Sequence, residues 1–390
     1  MLEKDYTTEL LELEGVIIKK VDKDEKSLTV HIELPQREHR CPNCGTTTAY
    51  IHDYRHQWIK DKPFGAMTML ILRKRRYRCP CCEKRFYEDN SFLGKYRRAT
   101  KRMIQSVIDS LRKLAPASEV AKNYNISATT VFRHFDSVNY GAAALPEVLS
   151  IDEFKGNAEG EKYQTILTNP KEKKVLDILP NRFENDLILY FKACSDREKV
   201  KYFITDMNRH FRNVAKVCFP KAKIIADKFH VVRQAIWAME RVRKKEQKRL
   251  SDHYRKYFKR SKYLLNKSIE KLTDEEKNRL ALMLEISPKL AEAYCLKNEF
   301  LNIMQCKDSK IGKPLLIAWL YSLETVDMPE FSDCARACRN WFAEILNSMD
   351  YPWTNGFTEG CNNKIKVLKR VCFGVHDFHR FRNRILHCSK

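Results

Sequence analysis

The sequence has no apolar run near the roughly 20 residues that a membrane-crossing helix needs, no fixed-period repeat and no low-complexity tract. A membrane-crossing helix and a repeat architecture are disfavoured on those grounds, and the apolar content of 43% disfavours wholesale disorder. Glycine (11) and proline (13) are sparse, so long flexible linkers are not expected. The opening MLEKDYTTELLELEG is acidic and lacks the apolar core of a secretory leader, so secretion is not expected. Negative charge is the minority, with 50 Asp and Glu against 73 Lys and Arg.

What is present points elsewhere. The net charge of +23 attracts a polyanion, for which nucleic acid is the natural reading. The 390 residues, 43% of them apolar, suffice for two or three domains with real cores. With secretion set aside, the 14 cysteines read as reduced thiols and metal ligands rather than disulfides.

The coarse pattern changes along the chain. Residues 15–35 read as a hairpin, with further strands at AMTMLILRKRRYRCP and KRFYED. Residues 99–140 show apolar positions every three or four residues, a helical period. Residues 147–232 alternate strand-like and helical runs, which suggests an α/β sheet. Residues 233–345 are helical in pattern and open on a strongly basic run, RVRKKEQKRLSDHYRKYFKRSK.

Four constellations can carry chemistry. Cys41-Pro-Asn-Cys44 and Cys79-Pro-Cys-Cys82 are two knuckles, each aiming a pair of thiolates at one ion; together they complete a closed, structural zinc site in a ribbon. Cys81 is a competitor for Cys82. Arg73, Lys74, Arg75, Arg76 and Arg78 precede the second knuckle and read equally well as phosphate contacts or as a solvated strand face.

The second is SEVAKNYNISATTVFRHF. Val120 and Ala121 face inward on a first helix, Asn125 suits a left-handed turn, and Ser127 caps a second helix whose buried face is Val131, Phe132 and Phe135. This is the layout of a helix-turn-helix, which would place Ser127, Ala128, Thr129, Thr130, Arg133 and His134 at or near the major groove.

The third is a set of acids at strand ends. VLSIDEF, YQTILTN and KVLDILP read as an antiparallel meander, followed by helix, strand ending at Asp206, helix, and strand ending at Asp227 and His230. That order is the order of a ribonuclease H-like fold, in which the first and fourth strands are neighbours. Asp152 and Asp206 then sit side by side, and two carboxylates so placed repel unless a divalent cation, Mg²⁺ by preference, lies between them. Asp227 also ends a strand and rivals Asp206, but its strand lies one further out. Glu153 should point to the opposite face from Asp152.

The fourth is NGFTEGCNNKIK, where Thr358 or Asn355 starts a helix carrying Glu359, Asn363, Lys366 and Arg370 on one face. A carboxylate followed by cations at that spacing offers a metal ligand and then phosphate contacts, or else a capped, solvated helix.

Together the CPNC/CPCC ribbon, the helix-turn-helix and the segments SIDEFKG, ITDM, FPKAKIIADKFHV and TEGCNNKIKVLKR resemble bacterial insertion-sequence transposases of the ISL type, third group, in the DDE class. The likeness extends over nearly the whole chain. It implies three metal-binding carboxylates, Asp152, Asp206 and Glu359, holding two Mg²⁺ or Mn²⁺ ions. It implies a D-x-x-H signature at Asp227 and His230, and a DNA contact at Lys366.

The resemblance further implies one structural zinc, binding to terminal inverted repeats and target duplex DNA, and cleavage at the element ends followed by transfer of the 3′ ends. It implies a homodimer or higher synaptic assembly and a cytoplasmic, nucleoid-associated location. The expected organisation is a zinc ribbon over 1–95, a helix-turn-helix over 96–145 and a ribonuclease H-like core over 146–390, with a helical insertion at about 233–345. The rival class is a DNA-binding regulator without catalysis; keeping all three acids argues against it.

Overall fold

The computed structural model describes residue 12 and residues 15–259, 261–267, 269–372 and 375–389. Most of the acidic opening segment lies outside the described residues. The chain divides into two compact units, the first reaching Tyr140 and including residues 368–372, the second holding residues 141–367 and 375–389.

In the first unit, strands β1 (Ile17–Lys23) and β2 (Ser27–Glu33) form the expected hairpin. The short strands β3 (His39–Arg40) and β4 (Thr47–Thr48) flank the first knuckle. The long strands β5 (Ile51–Asp61) and β6 (Met67–Arg78) fill the interval between the knuckles, and β7 (Arg85–Tyr87) pairs with β6. The length of these two strands accounts for the wide spacing of the cysteine pairs. β5 gave no sequence signal, because IHDYRHQWIKD puts polar and aromatic residues on its open face. Its Ile59 packs with Leu70, Leu72, Val30 and Ile32 on the buried one.

Three helices follow, α1 (Lys101–Ser110), α2 (Ala117–Asn123) and α3 (Ala128–Phe135). Val107, Leu111, Val120, Ala121, Val131 and Phe135 make their common core.

The second unit is built on a five-stranded sheet. Strands β8 (Val148–Phe154), β9 (Gln164–Asn169) and β10 (Lys174–Leu179) form the antiparallel meander. Helix α4 (Glu184–Ala193) leads to β11 (Tyr202–Thr205), and α5 (Arg209–Cys218) leads to β12 (Lys223–Ala226). The order is β10-β9-β8-β11-β12, with β8, β11 and β12 mutually parallel. β8 is buried on both faces, as the centre of such a sheet must be.

One face packs Leu149, Ile151 and Phe203 against Leu187 and Phe191 of α4 and Phe211 and Val214 of α5. Helix α6 (Lys228–Arg249) leaves the sheet and begins an all-helical stretch that runs to Asp350, with Phe258, Phe300, Trp319 and Phe331 in its core. Helices α7 (Gly356–Val371) and α8 (Phe378–Cys388) return to the sheet domain. Arg382 of α8 donates to Asp177 of β10 at 2.6 Å, and Tyr190 donates to the same carboxylate at 2.8 Å.

Candidate functional site

The register of the parallel pair decides where the acids fall. Ile204 of β11 pairs with Ser150 of β8. Two residues further along each strand, on the same face, come Asp206 and Asp152, so both stand at the carboxyl end of the sheet at one level. Asp227 follows β12, and its backbone N–H donates to Thr205 O at 2.9 Å.

The face carrying Ser150 and Asp152 is roofed by the start of α7 through polar contacts. Thr358 is fully buried, with its hydroxyl 3.0 Å from Ser150 Oγ and 2.8 Å from Thr168 Oγ1. Ser150 also donates to Asn355 Oδ1, and the Asn355 backbone N–H donates to Asp227 Oδ1 at 3.1 Å. Asn362, one turn on from Thr358, donates from Nδ2 to Asp152 Oδ2 at 2.9 Å, while the Glu153 N–H donates to Asp152 Oδ1 at 2.8 Å. Ser150, Asn355, Thr358 and Asn362 form a hydrogen-bonded clasp; the sequence marks Asn355 and Thr358 as helix starters and gives no role to Ser150 or Asn362.

The electrostatics follow from the crowding. Burial, and then the charge of Asp206, push the Asp152 carboxyl up to about 7. Burial also raises Asp206, with His230 opposing and Glu153 adding to the rise. His230 Nδ1 lies 2.7 Å from Asp227 Oδ2. Burial works against its cation, but the hydrogen bond to Asp227 and the charges of Asp227 and Asp206 outweigh it and raise its pKa. Glu153 pairs with Arg182 at 2.6 Å, as a residue turned away from Asp152 can, though its charge still reaches Asp206.

Glu359 is brought to the same helix but not into contact. It is exposed in the first turn of α7, three residues before Asn362. Among the described residues the one group of three or more Cys, His, Asp or Glu ligand atoms mutually within 4.8 Å is Cys41, Cys44, Cys79 and Cys82. The described site is therefore a pair of raised carboxyls with a third acid nearby on the roofing helix. Such an all-oxygen donor set suits a hard divalent cation, whose charge would relieve the repulsion between the two aspartates.

A pH dependence follows from the sign of these shifts. A carboxyl raised in the folded state loses stability for the fold as pH climbs from its unfolded value, near 4, to its folded value. In metal-free protein Asp152 should therefore contribute a loss of thermal stability between about pH 4 and pH 7, against the gain from the carboxylates that ion pairs hold low. Asp152→Asn should remove that contribution in a thermal-melt series, and an unchanged pH dependence would disprove the assignment.

In the first unit the cysteines converge as the knuckle spacing requires. Sγ of Cys41 lies 3.5 Å from that of Cys82, and Cys44 lies 3.4 Å from Cys79. A tetrahedron with 2.3 Å zinc–sulfur bonds has edges of about 3.8 Å, so the set fits one ion. The two knuckles are alike: the N–H after each second cysteine returns to the carbonyl of the first (Gly45 to Cys41 at 2.9 Å, Glu83 to Cys79 at 3.1 Å), with positive φ at Gly45 and Glu83. Cys81 stays exposed outside the set. Hydrogen bonds from the Thr46 hydroxyl and amide pull the Cys44 thiol down to about 6, favouring the thiolate that a metal needs.

The arginines of the run make internal ion pairs, which removes Arg75 from either reading by burying it and leaves Arg73 and Arg78 partly exposed on the strand. Arg75 is buried between Glu88 and Glu33, at 3.2 and 3.4 Å, Arg73 pairs with Glu33 at 2.8 Å, Arg76 pairs with Asp53 at 2.5 Å, and Arg78 pairs with Glu83.

In the helix-turn-helix, Asn125 takes φ +49° in the turn and Ser127 Oγ accepts from Thr130 N at 3.1 Å. Ser127, Thr129 and Arg133 are exposed and Thr130 is half-buried. Two residues depart from the expectation. Phe132 is 37% exposed rather than a core residue, and His134 is only 5% exposed, so it turns inward beside Val131 and Phe135 instead of toward DNA. Helical geometry explains both, since His134 lies three residues after Val131, on the inner face, and Phe132 on the outer. Burial lowers the His134 pKa. Ser127→Ala should cost about 1 kcal/mol by loss of the cap, measurable by denaturant titration. On α7, Asn363, Lys366 and Arg370 are exposed on the face of Glu359, with Lys366 Nζ donating to Asn363 Oδ1 at 3.2 Å.

Residues 149–385, more than half of the chain, match the family model of the ISL3 DDE transposases. The chain belongs to the ISL3 transposase family. Two further family models match this transposase beside it: the zinc finger of transposases IS204/IS1001/IS1096/IS1165 over residues 37–82, and the helix-turn-helix domain of transposase family ISL3 over residues 88–139.

The transposase of insertion sequence element IS1001 from Bordetella parapertussis is 24% identical over 98% of this chain and 97% of its own length. The transposase of element IS1557 from Mycobacterium tuberculosis is 24% identical over 55% of this chain and 53% of its own length. The four-cysteine set is thus the structural zinc site of a transposase zinc finger, and the family implies a divalent metal in the second unit. Among the described residues no helix is long and apolar enough to cross a membrane.

Proposed function

We propose that this ISL3 transposase binds the terminal inverted repeats of an insertion sequence, cleaves at the element ends and joins the freed 3′ ends to target DNA, with Asp152, Asp206 and Glu359 as the catalytic acids. The observation that carries the reading is the placement of Asp152 and Asp206 at the ends of adjacent parallel strands, both with raised pKa. Two Mg²⁺ ions, or Mn²⁺, bound there supply activation of the attacking oxygen and stabilisation of the leaving oxygen.

The chain's own residues do the rest. Asp152 and Asp206 bind the ions and fix their place on the rigid sheet. Thr358 and Asn355 orient the helix that carries Glu359 and completes the site. Asp227 holds His230 through Nδ1, leaving Nε2 as the ring nitrogen available to the reaction zone. Asn363, Lys366 and Arg370 hold the end-DNA backbone beside the acids. Ser127, Thr129, Thr130 and Arg133 read and position the repeat, supported by the zinc-bound ribbon.

Residues 1–95 and 96–145 are assigned as the two end-reading domains, and 146–390 as the catalytic core with its helical insertion at about 233–345. Joining two ends in one event calls for a homodimer or larger synaptic assembly.

The test is incubation of purified protein with end-containing duplex and Mg²⁺, mapping the cut strand and any joined product. Specific end binding without any strand cut, in Mg²⁺ or Mn²⁺, would reduce the protein to a DNA-binding regulator. Arg133→Ala should weaken end binding and lower the slope of log affinity against log salt by about 1 if the side chain meets a phosphate.

A further inference from the structure

We propose that Asn362 is a fourth side chain of the divalent-cation site, a positioning residue that pins Asp152 with its amide nitrogen and offers its amide oxygen to the ion or to water bound on it. The inference rests on the metal-site reading of Asp152 and Asp206 and deepens it. Two observations carry it. Asn362 Nδ2 donates to Asp152 Oδ2 at 2.9 Å, and the residue is only 7% exposed. Its Oδ1, on the same carbon as the nitrogen that touches Asp152, is buried with no hydrogen-bond partner among the described residues.

A buried carbonyl oxygen is rarely left without a partner, and one so left asks for an unseen donor or cation. Here the missing partner has an evident chemistry. The oxygen belongs to an amide held on the Asp152 carboxyl, which Asp206 crowds in turn; the group that relieves that crowding is a hard cation with its waters, and a side-chain amide oxygen is an ordinary ligand for such ions.

The residue type fits both halves of the role. A carboxylate at this position could accept but not donate, and would repel Asp152. Leucine has similar volume but does neither. Asparagine donates to the charged form of Asp152, favours the ionised state the metal needs, and adds an oxygen without adding a third negative charge. Its position supports this further. Asn362 follows Thr358 by four residues on α7, and the Thr358 hydroxyl is held by Ser150 and Thr168. The amide is thus set over β8 by a fully hydrogen-bonded anchor one turn away, and Glu359 lies between the two along the helix.

The test is Mn²⁺ binding to the full-length protein without DNA, followed by the electron paramagnetic resonance signal of free Mn²⁺. The variants are Asn362→Leu, Asn362→Ser and Asn362→Asp, with Asp152→Asn and Asp206→Asn as references. Asn362→Leu should weaken Mn²⁺ about 10–100-fold, the usual cost of removing an outer-sphere partner. Asn362→Ser, too short to span the same gap, should show the same loss. Asn362→Asp, which keeps the oxygen and adds charge, should bind Mn²⁺ at least as tightly as wild type. An added carboxylate attracts the cation whatever the native role, so the losses in Asn362→Leu and Asn362→Ser carry the test.

Amide exchange protection of β8 and β11 reports whether each variant is folded, and should Asn362→Leu fail to fold, Asn362→Ser decides. Wild-type Mn²⁺ affinity in folded Asn362→Leu or Asn362→Ser overturns the inference alone, provided Asp152→Asn and Asp206→Asn lose binding. Full binding in those two references overturns the metal-site reading and this inference with it.

Discussion

Purified Asp152→Ala or Asp206→Ala protein, given Mg²⁺ and labelled end DNA, is expected to cut at least ~10³-fold more slowly than wild type while still binding the end. Metal ions contribute several kcal/mol of charge stabilisation to phosphoryl chemistry, and each 1.4 kcal/mol or so is tenfold in rate. Binding should survive because Ser127, Thr129, Thr130 and Arg133, the residues proposed to read the end, belong to a separate compact unit of the chain. Asp152→Asn or Asp206→Asn removes one of two mutually repelling charges and keeps a side-chain oxygen as acceptor, so those metal-free variants should be at least as stable as wild type above pH 7. Lost activity with unchanged or higher melting temperature in those variants therefore separates a catalytic role from a folding defect.

The same assay decides between the two aspartates that end strands. Asp227 accepts from the Asn355 N–H and holds His230, so its loss should disturb the roofing helix and lower activity through placement. Full activity in Asp206→Ala would transfer the second metal-binding role to Asp227.

The second large effect concerns the cysteines. Cys44→Ser, or prolonged treatment with a strong chelator, should abolish ordered structure in the ribbon and specific end binding with it. Structural zinc in small domains contributes about 10–16 kcal/mol of apparent binding free energy, more than the total stability of most domains. The first knuckle is flanked by strands of two residues each, β3 and β4, so its order depends on the four sulfurs. Metal analysis should give one zinc per chain in wild type. Hydrogen exchange should lose protection around residues 39–87 in Cys44→Ser while β8 to β12 keep theirs. Wild-type protein purified without zinc yet fully protected there would refute the site. Cys81→Ser should be silent, since Cys81 is exposed outside the cluster.

Legibility from the sequence was uneven, for reasons traceable to particular residues. The zinc knuckles were readable because CxxC spacing encodes a local turn that aims both thiolates before any tertiary contact forms. The helix-turn-helix was readable because Ser127 and Asn125 act within their own few residues. β5 was hidden because its outward residues interrupt the apolar alternation. His134 is polar, which suggests the DNA face, but it stands three residues after Val131 and the helix turns it inward. The arginine run could not be resolved at all, since its partners Glu33, Asp53, Glu83 and Glu88 come from other strands and turns.

By itself the sequence determined the class of partner, through its basic charge. It also determined the metal knuckles, through local spacing, and the order of strands and helices in the second unit, through short-range apolar periodicity. Only the tertiary structure decided that Ile204 pairs with Ser150, and hence that Asp206 comes level with Asp152. It alone decided that Asn362 reaches across some two hundred residues of chain to touch Asp152. The physical reason is range. Turns, caps and periodicity act between neighbours, whereas strand register and helix docking are fixed by the burial of a whole sheet face, which no local window contains.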